Sequence, residues 1–213
     1  MNISSTLPNL DEIGINSGTD KSSKKHNYLS FYEIFVAPLR NKKVKVMEIG
    51  VFNGASLRMW RDYFPDGYVL GVDNKPHTLV HAGERIDVRH GDQNFPDGLA
   101  NLAQEFGPFD IIIDDGSHLW HHQINTMKAL LPLVKSGGIY IVEDLQTSFG
   151  EYIANYGTPD GEPAARYCLK FAERVIADRA LKLDLEPDPF LAQASKLVRA
   201  VQFSNRVAVF LRR

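Results

Sequence analysis

The sequence predicts an α/β fold built on a doubly wound, mostly parallel sheet. Short apolar runs of the kind that form buried parallel strands alternate along the chain with segments whose apolar residues recur at helical spacing. The length of 213 residues fits one domain better than two, and 44% hydrophobic with 23% charged residues is an ordinary globular balance. Alternating strands and helices therefore indicate one parallel sheet that helices cover on both faces.

Each element follows from a local pattern. The first strand is an apolar run that ends at Gly50, and the turn Pro65-Asp66-Gly67 separates the first helix from the second strand. Ser136-Gly137-Gly138 is expected to stop a helix in the left-handed conformation, and Ser204-Asn205 to turn a hairpin. In chain order, the predicted elements are strand 42–50, helix 55–64, strands 68–73 and 85–88, helix 98–106, strand 109–114, helix 123–135, strand 139–143, helix 164–178, and strands 196–203 and 206–211.

The chain is expected to divide into a front segment and a main domain. Residues 1–40 contain a predicted helix at 28–39 and form a helical cap that packs outside the sheet. Residues 41–213 carry the seven predicted strands, of which the last pair is antiparallel because a tight turn joins them. The stretch 146–163 is longer than most structural connections and is interpreted as an active-site loop.

Charge and cysteine content narrow the function classes. A net charge of -2 and a pI near 6.4 do not favour binding to nucleic acid or to an anionic membrane, so a small molecule is the expected partner. The one cysteine, Cys168, cannot form an internal disulfide or a multi-cysteine zinc site. Residues 1–25 have no apolar run of signal-peptide length, and no segment reaches the ~20 apolar residues of a membrane span. We therefore expect a cytoplasmic protein, and a homo-oligomer stays possible.

A glycine-containing turn follows the first strand. In Glu48-Ile49-Gly50-Val51-Phe52-Asn53-Gly54 the glycines allow the backbone to approach a ligand closely, and the helix that follows offers free N–H groups. Phe52 stands where the dinucleotide pattern G-x-G-x-x-G has its second glycine, which disfavours a NAD site. Taken alone, the motif is equally compatible with a purely structural turn.

Polar residues follow the next two strands. Asp73 ends the second strand roughly 20 residues beyond the glycine turn, where a carboxylate accepts the two hydroxyls of an adenosine ribose. After the third strand, Asp92 is suited to accept from an adenine amino group, and Gln93 to border the ring. Each is an ordinary loop residue by itself, but together they predict an adenosine site without a diphosphate cradle.

Carboxylates and an imidazole crowd the ends of the fourth and fifth strands. Asp114-Asp115-Gly116-Ser117-His118 and Glu143-Asp144 follow these strands, and such ends share one ligand-binding edge in an open α/β sheet. Acids this close repel one another unless a proton or a cation compensates them, which favours a hard divalent cation with oxygen ligands. His118 and His122 have i, i+4 spacing, but a His122 that holds a helix start or loop is favoured over a metal pair.

These motifs resemble the class I S-adenosylmethionine-dependent methyltransferases over residues 44–213. Asp114-Asp115-Gly116-Ser117-His118 with Val142-Glu143-Asp144-Leu145 is similar to the metal-dependent sugar O-methyltransferases of macrolide biosynthesis, the mycinamicin and tylosin type, and to the related cephalosporin-hydroxylase-like group. Further segments that resemble this family are Glu48-Ile49-Gly50-Val51, Ser56-Leu57-Arg58-Met59-Trp60 and Gly18-Thr19-Asp20-Lys21. The resemblance implies a seven-stranded, Rossmann-like methyltransferase sheet with an antiparallel C-terminal strand.

The resemblance and the strand-end residues together specify an expected site. S-adenosylmethionine and Mg²⁺ are the expected cofactors, and a sugar hydroxyl on a natural product or glycolipid is the expected methyl acceptor. His118 is the expected general base, acting with Asp115 and Asp144, and the expected metal ligands are Asp115, Asp144 and Glu143. The residues expected to bind the cofactor are Glu48, Gly50, Asn53, Ser56, Asp73, Asp92, Gln93 and Asp114.

Alternatives to this interpretation are distinct enough to test. A catechol- or phenol-type O-methyltransferase would use a similar metal site, and a non-catalytic cofactor-binding module would need no intact Asp115, His118 and Asp144. In the front segment, Asp20, Lys21, His26 and Tyr28 are candidates for covering the cofactor, with a loosely ordered terminus as the alternative. Among the aromatic residues, Trp60 is expected in the core, whereas Trp120 and Phe149 are candidates for an acceptor pocket.

Overall fold

Seven strands form one sheet in the computed structural model, which describes residues 7–177 and 188–213. The strands are β1 (Lys45–Ile49), β2 (Tyr68–Asp73), β3 (Ile86–His90), β4 (Phe109–Asp114), β5 (Val134–Val142), β6 (Val198–Ser204) and β7 (Val207–Arg212). They lie side by side in the order β3-β2-β1-β4-β5-β7-β6. Strands β1 to β5 are parallel to one another, whereas β7 runs antiparallel to both β5 and β6. The predicted doubly wound, mostly parallel fold with an antiparallel C-terminal strand is therefore confirmed.

The helices connect the strands and cover both faces of the sheet. They are α1 (Leu10–Ser17), α2 (Leu29–Val36), α3 (Ala55–Tyr63), α4 (Pro96–Phe106), α5 (Trp120–Leu130), α6 (Ile153–Tyr156), α7 (Ala164–Ala177) and α8 (Ala194–Leu197). Among the residues with described placement, no helix is both long and apolar enough to cross a membrane.

Two core layers lie on opposite faces of the sheet. Successive strand residues point to opposite faces, so Val46 packs with residues of α1, α2 and α3, whereas the adjacent Met47 packs with residues of α4, α5 and α7. Both side chains are fully buried. Strands buried on both faces need continuous apolar runs, which is why the sequence pattern located them.

The front segment contributes to one of these layers. Helix α1 begins at a capping box, in which Asn9 and Glu12 each accept from the other's backbone N–H, and it ends at Gly18 in the left-handed conformation with φ 78°. Leu10, Leu29 and Tyr32 are fully buried, and they pack in the same core layer as the residues of α3. The proposed division into a cap of residues 1–40 and a domain of residues 41–213 stays a prediction.

The boundary between α5 and β5 differs from the prediction. The helix ends at Leu130, a 3₁₀ turn covers Leu131–Leu133, and the strand already begins at Val134. Proline cannot continue a helical hydrogen-bond ladder, so Pro132 accounts for the early stop. Gly137 and Gly138 thus lie in the strand, where a Cβ on Gly138 would lie 2.6 Å from the Asp110 carbonyl oxygen. The two glycines allow an irregular close approach to β4 and do not terminate a helix.

Smaller differences concern element ends and the loop. The last hairpin turns at Asn205-Arg206, one residue later than predicted, because Ser204 still pairs with Val207. Strands β1 and β3 begin at Lys45 and Ile86, and Asp178 of the predicted helix lies outside the described residues. The predicted loop 146–163 contains local structure: 3₁₀ turns at Leu145–Ser148 and Gly150–Tyr152, followed by α6.

Candidate active site

The carboxyl ends of β1, β2, β4 and β5 border a cavity of about 610 Å³. Most of the residues selected from the sequence line it: Gly50, Asn53, Ser56, Asp73, Asp92, Gln93, Asp115, His118 and Asp144. Three others, Glu48, Asp114 and Glu143, are almost completely buried and do not belong to its lining. The sequence thus located the cavity, and the roles predicted for these three acids stay predictions.

Gly50 allows two strand ends to approach each other. Its backbone has φ +95°, and a Cβ there would lie 2.0 Å from the carbonyl oxygen of Asp115. The Gly50 N–H donates to Val72 at 2.8 Å, and the Asp115 N–H donates to Ile49 at 2.9 Å, so both strand pairings continue into the cavity wall. Only glycine fits this conformation and this space without displacing the backbone of Asp115.

Asp73 is held in place by backbone donors. Its Oδ2 accepts from the N–H groups of Val51 at 2.9 Å and Phe52 at 3.3 Å, and its Oδ1 accepts from the N–H of Lys75 at 2.9 Å. The side chain is partly exposed to the cavity, and Oδ1, which has one backbone donor, keeps a second lone pair. The carboxylate is therefore fixed at the end of β2 and retains capacity to accept from ligand hydroxyls.

Gln93 and Asp114 form a buried polar pair. The Gln93 amide donates to Asp114 Oδ1 at 2.8 Å and to Thr126 at 3.0 Å, and its carbonyl accepts from the Ser117 N–H at 2.8 Å. Burial raises the pKa of Asp114 to about 8. This network positions the loop after β4, whereas Asp92 remains partly exposed at the cavity.

Asp115, His118 and Asp144 converge at the other end of the cavity. One potential ligand atom from each lies within 4.8 Å of the other two, and His118 Nε2 lies 3.4 Å from Asp144 Oδ2. Burial alone would raise the pKa of Asp144, but His118 and the donors that bond the carboxylate outweigh it and hold that pKa below its ordinary value. The two carboxylates fit a hard divalent cation in donor type and in charge.

Three non-glycine residues of the cavity wall have left-handed backbone conformations. Phe52, His118 and Asp144 have φ of 50°, 60° and 56°. Such conformations are uncommon outside glycine and are concentrated at functional sites, where the surrounding structure enforces them. They occur at the cavity ends of three different strands, which supports this cavity as the functional site.

Comparison with known proteins identifies the fold unit around this cavity. Residues 47–145 match the family model described as a methyltransferase domain. Residues 47–145 are a methyltransferase domain. Its strand ends supply Gly50, Asp73, Asp115 and Asp144, so the matched segment contains both ends of the cavity.

Sugar O-methyltransferases are among the relatives of the methyltransferase domain. A Streptomyces olivaceus 8-demethyl-8-alpha-L-rhamnosyl tetracenomycin-C 2'-O-methyltransferase is 41% identical over 177 residues, which are 80% of this chain and 45% of that protein. The mycinamicin VI 2''-O-methyltransferase of Micromonospora griseorubida is 39% identical over 153 residues, 68% of this chain and 38% of that protein. The chain spans less than half the length of these curated relatives. The resemblance drawn from the sequence is confirmed.

A solved structure extends this resemblance beyond the methyltransferase domain. The MycE methyltransferase of the mycinamycin biosynthetic pathway, in complex with Mg and SAH, superposes with a TM-score of 0.82 at 31% identity. The match covers 98% of this chain and 54% of that one. A further MycE structure, with a TM-score of 0.79 and 30% identity, contains Mg, SAH and mycinamycin VI.

A lysine lies among the buried acids of the methyltransferase domain, and its contacts were not predicted. Lys21, only 1% exposed, contacts Asp115 and lies 2.8 Å from Glu143 and 3.3 Å from Glu48. Burial alone would lower the pKa of Lys21, but the three carboxylates outweigh it and raise that pKa. In the sequence, Lys21 is one lysine in a polar segment, and no periodicity identifies it as buried.

Glu143 and Glu48 are therefore engaged away from the cavity. Glu143 Oε2 binds Lys21, and Glu48 Oε2 accepts from the indole N–H of Trp60 at 3.0 Å. Neither carboxylate belongs to the group that Asp115 forms with the residues after β4 and β5. The roles predicted for Glu143 as a metal ligand and Glu48 as a cofactor contact stay predictions, and this geometry does not favour them.

Other residues predicted from the sequence have structural contacts. His122 bonds Ser117 Oγ at 2.7 Å and Asn94 Oδ1 at 3.0 Å, which is the loop-holding role favoured above a metal pair. Trp60 is fully buried as expected, and Trp120 is buried as well, with its N–H donating to the Thr147 carbonyl. Phe149 is 61% exposed and stays a candidate for acceptor contact.

Proposed function

We propose that this protein transfers the methyl group of S-adenosylmethionine to a sugar hydroxyl of a glycosylated small molecule in a magnesium-dependent reaction. The observation that carries the proposal is the group of Asp115, His118 and Asp144 at one end of a cavity whose other end holds Asp73. The methyltransferase relatives named above include sugar O-methyltransferases, and the MycE structures contain Mg and SAH. A sugar hydroxyl is proposed as the acceptor because these relatives methylate sugars and because Asp115, His118 and Asp144 line the cavity.

The cofactor would lie along the strand ends between β1 and β3. Asp73 would accept from the ribose hydroxyls, the Gly50 turn would allow close backbone approach, and Asp92 would accept from the adenine amino group. Asn53 and Ser56 line the same wall, where the Asn53 side chain also accepts from the N–H of Ala55 at 3.0 Å. Gln93 supports this wall from behind through its bonds to Asp114 and Ser117.

Asp115 and Asp144 would hold the magnesium ion. When bound, the ion would bind acceptor oxygens and lower the pKa of a hydroxyl. The two carboxylates come from neighbouring strands, so the sheet fixes their separation. One metal site is thus formed by acids that follow two different strands.

His118 would remove the proton of the accepting hydroxyl. As the oxygen forms its bond to the methyl carbon, the carbon–sulfur bond breaks, the thioether leaves with the electron pair, and the proton goes to the imidazole. Neutral imidazole suits this step near pH 7. Its nitrogen is also a potential metal ligand, so the base and ligand roles must be separated by experiment.

The acceptor would enter beside the loop after β5. The ring of Tyr156 lies 6.3 Å from the His118 ring, and the Tyr152 ring lies 6.3 Å from Tyr156. Phe149 and Ile153 of the same loop are exposed apolar side chains. Aromatic faces of this kind pack well against sugar rings and apolar ring systems.

A substrate panel tests the proposal. Protein with Mg²⁺ and S-adenosylmethionine should add one methyl group to a glycoside, detected by mass spectrometry, and EDTA should stop the reaction until Mg²⁺ is restored. S-adenosylhomocysteine should raise the melting temperature, whereas NAD should not. Methylation of a catechol but of no glycoside would favour the phenol-type alternative. Cofactor binding without turnover on any acceptor would favour a non-catalytic module.

Partners and location belong to the same proposal. The acceptor is a small glycosylated molecule, with no nucleic acid or membrane partner, and the protein acts in the cytoplasm. The net charge of -2 supports the absence of a polyanionic partner. Homo-oligomer formation stays a prediction for size-exclusion chromatography.

A further inference from the structure

The segment between α1 and α2 reaches the acids of the candidate metal site. Residues 18–28 follow α1 and end at α2, and we call them the front loop. Its Lys21 ammonium contacts Asp115 Oδ2, and its Tyr28 hydroxyl donates to Asp144 Oδ1 at 2.7 Å. The two carboxylates proposed to hold magnesium thus each have one oxygen bound by a front-loop side chain.

The second oxygen of Asp144 faces the interior of the site. Asp144 Oδ2 lies 3.4 Å from His118 Nε2, whereas Oδ1 accepts from the Tyr28 hydroxyl at 2.7 Å and from the Gln146 amide at 3.2 Å. A carboxylate with one oxygen fixed by a donor can rotate little, so its other oxygen keeps a defined direction. Groups that orient ligands in this way commonly determine metal affinity.

The backbones of the two front-loop residues are hydrogen-bonded to each other. The Tyr28 N–H donates to the Lys21 carbonyl at 2.8 Å, which closes the loop on itself. Lys21 is further held by its ion pairs with Glu143 and Glu48, and His26 stacks on Tyr28 at 5.4 Å. A buried ammonium with three carboxylate partners has a fixed position, because leaving any of them unpaired is costly.

We propose that Lys21 and Tyr28 are positioning residues that orient Asp115 and Asp144 for a divalent cation. The inference rests on the proposed function, since it concerns the same metal site. It assigns the front loop a part in metal affinity in addition to packing. Thr19, Asp20 and Lys25 of the loop line the cavity as well, so the loop connects the metal end to the cavity wall.

Tyr28→Phe is the first test, because it removes one hydroxyl and keeps the ring. Tyr68→Phe is its matched control: Tyr68 donates to Asp87 at the same 2.7 Å, but between β2 and β3 and away from the site. With MgCl₂ titrated by calorimetry, Tyr28→Phe should bind Mg²⁺ roughly 10–100-fold more weakly, as expected for loss of an orienting partner. Tyr68→Phe should bind like the wild type, and both should bind S-adenosylhomocysteine normally.

In Lys21→Met, the direction of the change in Mg²⁺ affinity distinguishes loss of charge from loss of orientation. Loss of a nearby positive charge alone would strengthen Mg²⁺ binding, whereas loss of orientation weakens it. We expect weaker binding, with Lys135→Met as control, because Lys135 pairs with Asp110 at 2.8 Å in a partly exposed ion pair that is no part of the site. If Lys21→Met does not fold, the Tyr28→Phe result decides alone.

The outcomes separate this inference from the proposed function. Wild-type Mg²⁺ affinity in Tyr28→Phe, or stronger binding in Lys21→Met, would overturn the positioning role and leave the proposed function intact. A wild-type protein that binds S-adenosylhomocysteine but no Mg²⁺ would overturn both the inference and the magnesium dependence. A merely structural role would lower the melting temperature without changing Mg²⁺ affinity, and that result would also overturn the inference.

Discussion

Asp114 carries a proton at neutral pH that an exposed aspartate would have lost. Its pKa is raised to about 8 by burial, against about 3.9 in an unfolded chain. Between these values the folded state binds more protons than the unfolded state, so this residue makes the free energy of unfolding fall as pH rises from about 4 to 8. Asp114→Asn removes the titration and keeps an acceptor for Gln93. Urea unfolding at pH 5, 7 and 9 should show that the free energy of unfolding of Asp114→Asn, relative to that of the wild type, increases as pH rises.

The control for this prediction is Asp97→Asn, a change at the exposed first turn of α4. Its difference from the wild type should stay constant over the same pH range. A constant difference for Asp114→Asn as well would contradict the assignment of a raised pKa.

His118 distinguishes proton transfer from metal binding. If it is the base, His118→Gln should lower the methylation rate by roughly 10²–10⁴-fold, the usual contribution of a positioned proton acceptor. Mg²⁺ affinity measured by calorimetry should then change little, because Asp115 and Asp144 are intact. A large loss of Mg²⁺ affinity would instead assign the imidazole as a ligand.

Asp73 should decide cofactor affinity. Asp73→Ala removes the proposed acceptor of two ribose hydroxyls, so S-adenosylhomocysteine should no longer raise the melting temperature measurably. Asp87→Ala is the control, since Asp87 accepts from Tyr68 outside the cavity. An undiminished shift in Asp73→Ala would contradict the placement of the ribose.

At the level of elements, the close approach of β1 and β4 depends on one glycine. An alanine at position 50 would place its Cβ 2.0 Å from a backbone oxygen that cannot yield without moving Asp115. Gly50→Ala should therefore cost about 1–3 kcal/mol in unfolding free energy, as overpacking does. It should also weaken both S-adenosylhomocysteine and Mg²⁺ binding, because the two sites share this contact. Gly98→Ala, where a Cβ meets open space in α4, should leave binding unchanged.

Elements with a strong local signal were predictable from the sequence, and those that depend on distant contacts were not. The parallel strands were found because burial on both faces requires continuous apolar runs. The α5 and β5 boundary was wrong because Gly137 and Gly138 suit a helix stop as well as an irregular strand, and only the pairing with β4 selects the strand. The ion pairs of Lys21 could not be predicted because its acids lie 27 to 122 residues away in the chain.

For the candidate site, the sequence predicts which residues lie near one another but not which of them are exposed. Strand-end acids follow from topology, since parallel strands bring their carboxyl ends to one edge. Which acids line the cavity does not, because Glu48 and Glu143 are buried whereas the nearby Asp73 and Asp144 belong to the lining. Sequence spacing therefore predicts that the strand-end acids lie near one another, whereas the packing of the folded chain determines which of them are exposed to the cavity.

For the whole molecule, the front segment raises the question of whether it is a removable cap or part of the core. Leu10, Tyr32 and Val36 are fully buried in the layer that contains Trp60 of α3, and Lys21 neutralises acids at the ends of β1, β4 and β5. Removing this segment would expose one face of the sheet and leave buried carboxylates without their cation, which is strongly destabilising.

Deletion of residues 1–40 should therefore give a chain without a cooperative unfolding transition by circular dichroism and without S-adenosylhomocysteine binding. Leu10→Ala in the full chain gives a graded version of the same test, because truncating a buried leucine costs about 2–5 kcal/mol. If residues 41–213 alone fold cooperatively and bind S-adenosylhomocysteine, the front segment is a separable cap. In that case the weaker Mg²⁺ binding expected on loss of Lys21 and Tyr28 should be measurable directly in the shortened protein.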